Sequence, residues 1–274
     1  MIAALVPEPG TTPIAAEYRA LIAGTARGSF EHGVLRPEAY DPASVREAGA
    51  RWKKRMADEY GSTTVFSGLV AHVVEANATL DASAVVLRMA QDELRHAEIC
   101  GRVVKALGSE PTVMRDTTVR PIAEHRGCSP EERALRNVLV TALSETYSCS
   151  FFVASLDRMT DPYLRSVTRE LLADEVLHGR FGFYYLQAWS SWLARRPEVR
   201  SSISRYLRLV FATCEREFVR EPSGRPRGSD DEALGLVTNE ASREIFHETM
   251  EKAVVPGLER FGIDGLRAWR TRSL

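Results

Sequence analysis

Residues 90–97 of this 274-residue chain read Ala-Gln-Asp-Glu-Leu-Arg-His-Ala, and residues 173–179 repeat the pattern as Ala-Asp-Glu-Val-Leu-His-Gly. Both stretches contain the motif Asp-Glu-x-x-His. On a helix, residues three positions apart lie on one face, so Glu93 and His96 can offer a carboxylate oxygen and an imidazole nitrogen to one metal ion. Glu175 and His178 repeat this arrangement. Two such motifs on facing helices predict two metal half-sites side by side.

A di-metal helical bundle needs one further Glu from each of its other two helices. Glu59 precedes the first motif by 34 residues, and Glu145 precedes the second by 30 residues. Both spacings suit a helix that turns back antiparallel to its neighbour. The predicted metal ligands are therefore Glu59, Glu93, His96, Glu145, Glu175 and His178. Carboxylates and imidazoles suit iron or manganese, so we expect two iron ions, with manganese or a mixed iron–manganese pair as the alternative.

The pattern of apolar residues predicts an all-α fold. Apolar side chains recur every three or four residues around Glu59, with Trp52 and Phe66 in the same stripe. Capping residues and prolines predict where the helices begin, and Gly108 is typical of a helix end. The expected helices lie at about 42–75, 81–107, 130–159, 162–194, 197–220, and from 239 with a bend at Pro256.

These helices predict one domain in three parts. Residues 1–41 form an N-terminal arm with a weak helical segment near residues 13–26. Residues 42–194 form a four-helix bundle in which residues 109–129 are a crossover connection. Residues 195–274 are helices packed on the bundle, with a polar loop at 221–232.

Two further acidic residues directly precede the Glu of each motif. Asp92 and Asp174 point about 100° away from their neighbours on the helix, towards an adjacent helix. Each could accept a hydrogen bond from the ligating His of the other motif and fix the orientation of that imidazole. Arg95 could neutralise such an Asp, whereas Leu177 holds the matching place in the second motif. The alternative interpretation is that both Asp residues are solvated charges.

A third Glu-x-x-His motif, Glu244 with His247, lacks the supporting context. Arg243 replaces the preceding Asp, and no Glu lies about 30 residues upstream on a matching stripe. Glu75 lies at the end of its helix on the face opposite Glu59. We therefore interpret the third motif as structural and exclude Glu75 as a ligand.

Composition and charge argue against several classes of binding partner and metal site. A net charge of −1 and a pI near 6.6 give no indication of nucleic acid or an anionic membrane as partner. No apolar run approaches the roughly 20 residues of a membrane span, and the N-terminus lacks the basic start of a signal peptide, so a cytoplasmic protein is expected. The four cysteines form no Cys-x-x-Cys pair, which argues against a rubredoxin-type centre or a zinc ribbon.

Residues 42–194 resemble the ferritin-like di-iron carboxylate superfamily, and Asp92-Glu93-Leu94-Arg95-His96 is similar to the Asp-Glu-x-Arg-His motif of bacterial multicomponent monooxygenase hydroxylases. The resemblance implies a ferritin-like four-helix bundle. It also implies one metal at Glu59, Glu93 and His96 and the other at Glu145, Glu175 and His178, with bridging carboxylates left unassigned. Leu171 stands where arylamine N-oxygenases of this superfamily would have an additional His.

The resemblance further implies an enzyme, a non-haem di-iron oxygenase or oxidase that activates O2 and oxidises a small organic substrate. Because the chain has no Gly-rich nucleotide-binding loop, electrons are expected from a separate donor protein. Two alternatives stay open: a ferroxidase, peroxidase or iron-handling protein, and a non-enzymatic helical scaffold with a vestigial site. The reaction type and the oligomeric state, a homodimer included, also stay open.

Overall fold

The computed structural model describes residues 2–5, 13–24, 32–116, 122–219 and 228–272. Four long helices dominate it, and they follow a short one. The five helices are α1 (Pro13–Ala23), α2 (Pro42–Glu75), α3 (Leu80–Ala106), α4 (Pro130–Arg158) and α5 (Pro162–Ala188). Helix α2 packs along α3, and α4 along α5, while contacts of α2 with α4 and of α3 with α5 join the two pairs into one helical bundle. The predicted all-α class is confirmed.

Capping residues begin the long helices where the sequence predicts them. The Asp41 carboxylate accepts hydrogen bonds from the backbone N–H groups of Ala43 and Ser44, directly before Pro42. Ser129 and Asp161 cap α4 and α5 in the same way, each followed by a proline. Helix α3 ends before Gly108, which has a left-handed backbone with φ of 73°.

The chain after α5 differs from the prediction in two places, and the predicted bend at Pro256 is confirmed. The helix expected to reach residue 194 breaks at Trp189 and continues as α6 (Ser190–Ala194), before α7 (Pro197–Phe218). A short helix, α8 (Ser229–Ala233), occupies the end of the predicted polar loop, and residues 220–227 lie outside the described residues. Helix α9 (Asn239–Thr249) passes through one wide turn, Met250–Val254, into α10 (Val255–Glu259) and then α11 (Gly265–Arg270). The wide turn accommodates Pro256, which cannot continue the regular hydrogen-bond pattern.

A two-stranded sheet links the N-terminal arm to the connection between α3 and α4. Strand β1 (Ile2–Leu5) pairs antiparallel with β2 (Val113–Asp116), so that Ile2 lies opposite Asp116. The sequence analysis predicts neither strand, because four residues are too few to show the alternation typical of a strand. The pairing brings together two segments that lie far apart in the chain.

The C-terminal helices pack on α4. Helix α9 contacts α4 and α7, and α7 contacts α4 and α11. The ring of Trp269 on α11 lies 5.4 Å from the ring of Phe211 on α7 and 5.9 Å from that of Phe246 on α9. These buried aromatic contacts hold α7, α9 and α11 together as one layer.

Helices α4 and α5 approach each other very closely at two glycines. A Cβ atom added to Gly182 would overlap Ala142 on α4. One added to Gly179 would lie 3.3 Å from the sulfur of Cys149 and 3.5 Å from the carbonyl oxygen of Glu145. At Gly182 only glycine therefore permits this separation of the two helices, whereas at Gly179 an added Cβ would be tightly packed.

By length and composition, α4 could cross a membrane, and it is the one such helix in the described part of the chain. The sequence analysis found no comparable apolar run. A core helix passes the same test, and α4 packs against α2, α5 and α9 with Glu145 turned into the bundle. The expectation that no segment spans a membrane stays a prediction.

Candidate metal centre

The six predicted ligands all lie in the interior of the bundle. Glu59 is on α2, Glu93 and His96 on α3, Glu145 on α4, and Glu175 and His178 on α5. The most exposed of the six, Glu59, has a relative exposure of 8%. The structure therefore brings all six side chains of the sequence prediction together, one group from each long helix.

The six side chains form two overlapping groups. Ligand atoms of Glu59, Glu93, His96 and Glu175 all lie within 4.8 Å of one another, and so do those of Glu93, Glu145, Glu175 and His178. Glu93 and Glu175 belong to both groups. The arrangement thus offers two adjoining positions for a metal ion that share two carboxylates, a detail that the sequence left unassigned.

Each imidazole is oriented by the Asp of the other motif. His96 Nε2 lies 3.3 Å from Asp174 Oδ2, and His178 Nε2 lies 3.5 Å from Asp92 Oδ2. Because an ionised carboxylate only accepts hydrogen bonds, Nε2 of each ring is the donor. Nδ1 is then left as the coordinating atom on the side of the carboxylate cluster. This crossed contact is the arrangement that the sequence analysis predicts for both Asp residues.

The residues present fit a pair of metal ions. Buried atoms without a hydrogen-bond partner in the described part of the chain include Nδ1 of both imidazoles, both carboxylate oxygens of Glu93 and Oε2 of Glu175. His178 Nδ1 lies only 3.1 Å from Glu93 Oε1, yet the two atoms are not aligned for a hydrogen bond. Leaving such buried groups unsatisfied is costly, and a cation between them would satisfy them all. Oxygen and imidazole donors are those that iron and manganese accept.

Burial and mutual charge set the protonation of the metal-free cluster. Burial acts to lower the pKa of His96, but Asp174, Glu175 and Glu59 outweigh it and hold that pKa well above its ordinary value. The pKa of His178 is likewise raised, by Glu175 and Asp92 against the effect of burial.

The pKa values of the four Glu carboxyl groups shift in two opposite directions. Burial, together with the neighbouring Glu59 and Glu175 charges, raises the pKa of Glu93 well above its usual range, and burial with Glu175 does the same for Glu145. For Glu59 and Glu175 burial acts in the same direction, but the imidazoles outweigh it and lower the pKa. The metal-free cluster therefore retains protons, which a bound metal would displace.

The outer contacts of Asp174 extend to the N-terminal arm. The Arg95 guanidinium pairs with both Asp174 and Glu170, and its side chain is only 5% exposed. His32 Nε2 in turn lies 2.8 Å from Glu170 Oε2. A continuous series of polar contacts thus runs from His32 through Glu170, Arg95 and Asp174 to His96.

Asp92, in contrast, has its outer contact with a single, partly exposed arginine. Arg88 Nε donates to Asp92 Oδ1 at 2.8 Å, and the Arg88 side chain is 29% exposed. Burial acts to raise the pKa of Asp92, but the hydrogen bonds from His178 and Arg88 outweigh it and lower that pKa. Arg88 Nη2 also lies 3.8 Å from Asp174 Oδ1, so this arginine faces both Asp residues.

Sequence reasoning missed Arg88, Glu170 and His32. Arg88 precedes Asp92 by four residues on one helix, and that spacing is a signal that could have identified it. No local signal links His32 to Glu170, because the contact forms only in the folded chain. Arg55 was also missed: its Nη1 lies 3.8 Å from Glu59 Oε1, and its guanidinium stacks 4.4 Å from the ring of Phe152.

Glu75 and the third Glu-x-x-His motif, which the sequence analysis excludes as ligands, lie outside the buried cluster. Glu75 pairs with Arg133 at a distance of 2.8 Å. His247 Nε2 lies 2.6 Å from Glu215 Oε1 on α7, and Glu244 is exposed. The third motif therefore takes part in the packing of the C-terminal helices and not in the cluster.

No family model matches the chain, and no curated protein matches it. Function is therefore inferred from the residues and the geometry of the buried cluster.

Proposed function

We propose that the chain is a ferritin-like oxidoreductase that holds two iron ions and activates O2 to oxidise or oxygenate a small organic substrate. The observation that carries this proposal is the pair of overlapping ligand groups sharing Glu93 and Glu175. A buried network with a purely structural role would satisfy its own polar atoms. Here the unsatisfied atoms include the Nδ1 atoms of both His and both oxygens of Glu93.

The geometry supports an assignment that the sequence left open, namely which carboxylates the two metals would share. Glu59 and His96 would hold one metal, and Glu145 and His178 the other. Glu93 and Glu175 would contribute to both, since each belongs to both groups. In this proposal the two helical pairs, α2–α3 and α4–α5, are the halves of a ferritin-like bundle, and the segment between α3 and α4 is its crossover connection.

In this proposal the side chains of the cluster bind the metals and orient the imidazoles. Asp174 and Asp92 hold the imidazoles with Nδ1 turned towards the carboxylate cluster, where Glu93 and Glu175 would offer oxygen atoms to both metals. A bound iron pair would supply the electrons for O2 activation, chemistry that protein side chains alone do not perform. A separate donor protein restores those electrons in this proposal.

O2 and substrate are proposed to reach the centre between α2 and α4. Glu59 and Glu145, on those two helices, keep exposures of 8% and 7%, whereas the His and Asp residues on α3 and α5 are at most 1% exposed. Met56 and Phe66, at 0%, shield the centre along α2.

The test combines metal content with reactivity. Protein produced with iron would be analysed for metals, reduced anaerobically and mixed with O2 in a stopped-flow spectrometer. We expect two irons per chain and a transient visible absorption band. Two manganese ions would retain the site but change its chemistry, and rapid oxidation of many irons per chain without a substrate would favour ferroxidase activity. A chain that binds no metal after reconstitution would contradict the proposal and leave the scaffold interpretation.

The variant Glu59→Gln should bind one metal fewer, and Glu75→Gln provides its matched control, because both residues are carboxylates on α2. The control should retain two metals, since Glu75 is outside the cluster and pairs with Arg133.

A further inference from the structure

A groove of about 440 Å³ lies between α7 and the segment that carries α11, on helices that hold none of the six proposed metal ligands. Arg200, Ser204 and Arg208 line it on the α7 side, and Asp264 and Arg267 on the other. This volume falls in the range of sites that bind small molecules.

The groove concentrates positive charge, because four arginines line it against one acidic residue, Asp264. Arg200, Arg205, Arg208 and Arg267 line it, and within the described ranges none of these four forms an ion pair. The carboxylate of the lining residue Asp264 instead accepts the backbone N–H of Arg267 and caps α11. Because the whole chain has a net charge of −1, the cluster is a local feature and not a consequence of a basic composition.

Arginines on nearby surfaces behave differently. Arg133, Arg136 and Arg272 each pair with a Glu, at distances of 2.6 to 2.8 Å. The four guanidinium groups of the groove differ from these three in having no carboxylate partner among the described residues, and an anionic ligand would supply that partner.

The groove is built around Arg200. Its Nε atom is buried and has no hydrogen-bond partner among the residues the structure describes. Gly262, with φ of 70°, leaves space for this side chain, because a Cβ there would overlap Arg200 Nη1. The contact between Trp269 and Phe211 fixes α11 on α7, and Ser204 Oγ accepts the backbone N–H of Asp264 at 2.9 Å. Both walls are thus held in place before any ligand binds.

We propose that this groove binds a small molecule that carries at least two phosphate or carboxylate groups. A guanidinium group matches either oxyanion with two parallel hydrogen bonds. Arginines project from both walls, so one anionic group on each wall accounts for the whole cluster. Ser201 Oγ accepts a hydrogen bond from Arg205 at 2.8 Å, which leaves its hydroxyl hydrogen available to an anion.

The test measures the binding of two probes to the full, metal-loaded chain by isothermal titration calorimetry at low salt. Fructose 1,6-bisphosphate is the phosphate probe, and glutarate is the carboxylate probe. We expect at least one of them to bind with a dissociation constant below about 1 mM. The substitutions Arg200→Gln and Arg267→Gln should each weaken that binding about tenfold, since each removes a charge-assisted contact.

Arg270→Gln is the matched control, because Arg270 is exposed on α11 but does not line the groove. It should leave the affinity unchanged, and circular dichroism would verify that all variants fold. The probe that binds more tightly assigns the anionic group of the ligand. Absence of saturable binding by both probes, or binding that Arg200→Gln and Arg267→Gln leave unchanged, would overturn the proposal.

Discussion

The two halves of the cluster contain the same motif but differ in the contacts that support their imidazoles. On the His96 side, comprising Asp174, Arg95, Glu170 and His32, a buried arginine connects two carboxylates and reaches the N-terminal arm. On the His178 side, comprising Asp92 and Arg88, the partner arginine is 29% exposed, so solvent reaches it. The repeat thus makes the ligands symmetric but leaves their support asymmetric.

This difference in burial indicates that charge interactions are stronger on the His96 side than on the His178 side. Buried charges interact in a low dielectric and suffer when one partner is removed, whereas solvent screens an exposed pair. The same substitution should therefore have unequal effects on the two sides.

The largest expected effect comes from the shared carboxylates, which belong to neither side alone. Glu93→Gln should abolish binding of both metals, because Glu93 belongs to both ligand groups. Glu59→Gln and Glu145→Gln should each leave one metal, because each of these residues belongs to a single group. Elemental analysis of the purified variants measures this directly. Retention of two metals in Glu93→Gln would show that this residue does not bridge.

The second effect concerns stability. Arg95→Gln leaves Asp174 and Glu170 facing each other in the interior, and we expect a loss of about 3 kcal/mol in the free energy of unfolding. Arg88→Gln should cost below about 1 kcal/mol, since solvent screens this arginine. Urea denaturation of the metal-free variants gives both values.

Arg102→Gln serves as the control on the exposed face of α3, with an expected change within about 0.5 kcal/mol. Equal losses for Arg95→Gln and Arg88→Gln would remove the asymmetry between the two sides.

The third effect is on metal affinity. Asp174→Asn and Asp92→Asn preserve the shape of each side chain but remove the charge that orients the imidazole, so affinity should fall about 10- to 100-fold. We expect Asp174→Asn to be the more damaging, because it also removes a partner of the buried Arg95. Competition with a chelator measures the affinity, and Asp58→Asn, on the exposed face of α2, is the control. An unchanged affinity in both cluster variants would mean that neither Asp orients a ligand.

The smallest effect is expected at the end of the His96 side. His32→Ala removes one partly exposed contact to Glu170 and should lower the free energy of unfolding by about 1 kcal/mol. His32→Gln should recover most of that loss, since its amide can donate to the same carboxylate. Thermal denaturation of the two variants measures the difference, and a loss as large as that of Arg95→Gln would place His32 among the principal supports.

The helices were predictable because their boundaries are encoded locally. Asp41 with Pro42 and Asp161 with Pro162 mark helix starts in any context, and Gly108 marks an end. The break at Trp189 has no Pro or Gly beside it, and the pairing of β1 with β2 depends on segments distant in sequence, so neither could be predicted from local residues.

The same distinction applies to the cluster. The six side chains lie on helical stripes whose period is visible in the sequence, so they could be predicted as a group. Whether Glu93 and Glu175 are shared by both ligand groups depends on the packing of α3 against α5. The contact of Arg95 with Glu170 depends on how the same two helices are rotated about their axes. Arg88 was the exception, since its spacing from Asp92 is local and could have been recognised.

In the proposed oxygenase, the close approach at Gly182 and Ala142 limits how substrate specificity could change. These residues lie about one turn from the cluster, where α4 and α5 leave no space for a methyl group added to Gly182. Trimming side chains at this contact would enlarge the cavity little, because Gly182 has no side chain and Ala142 has only a methyl group. Adaptation to a bulkier substrate would have to proceed through α2, where Gly61 has no neighbouring atom within 4 Å of an added Cβ and substitutions are least constrained.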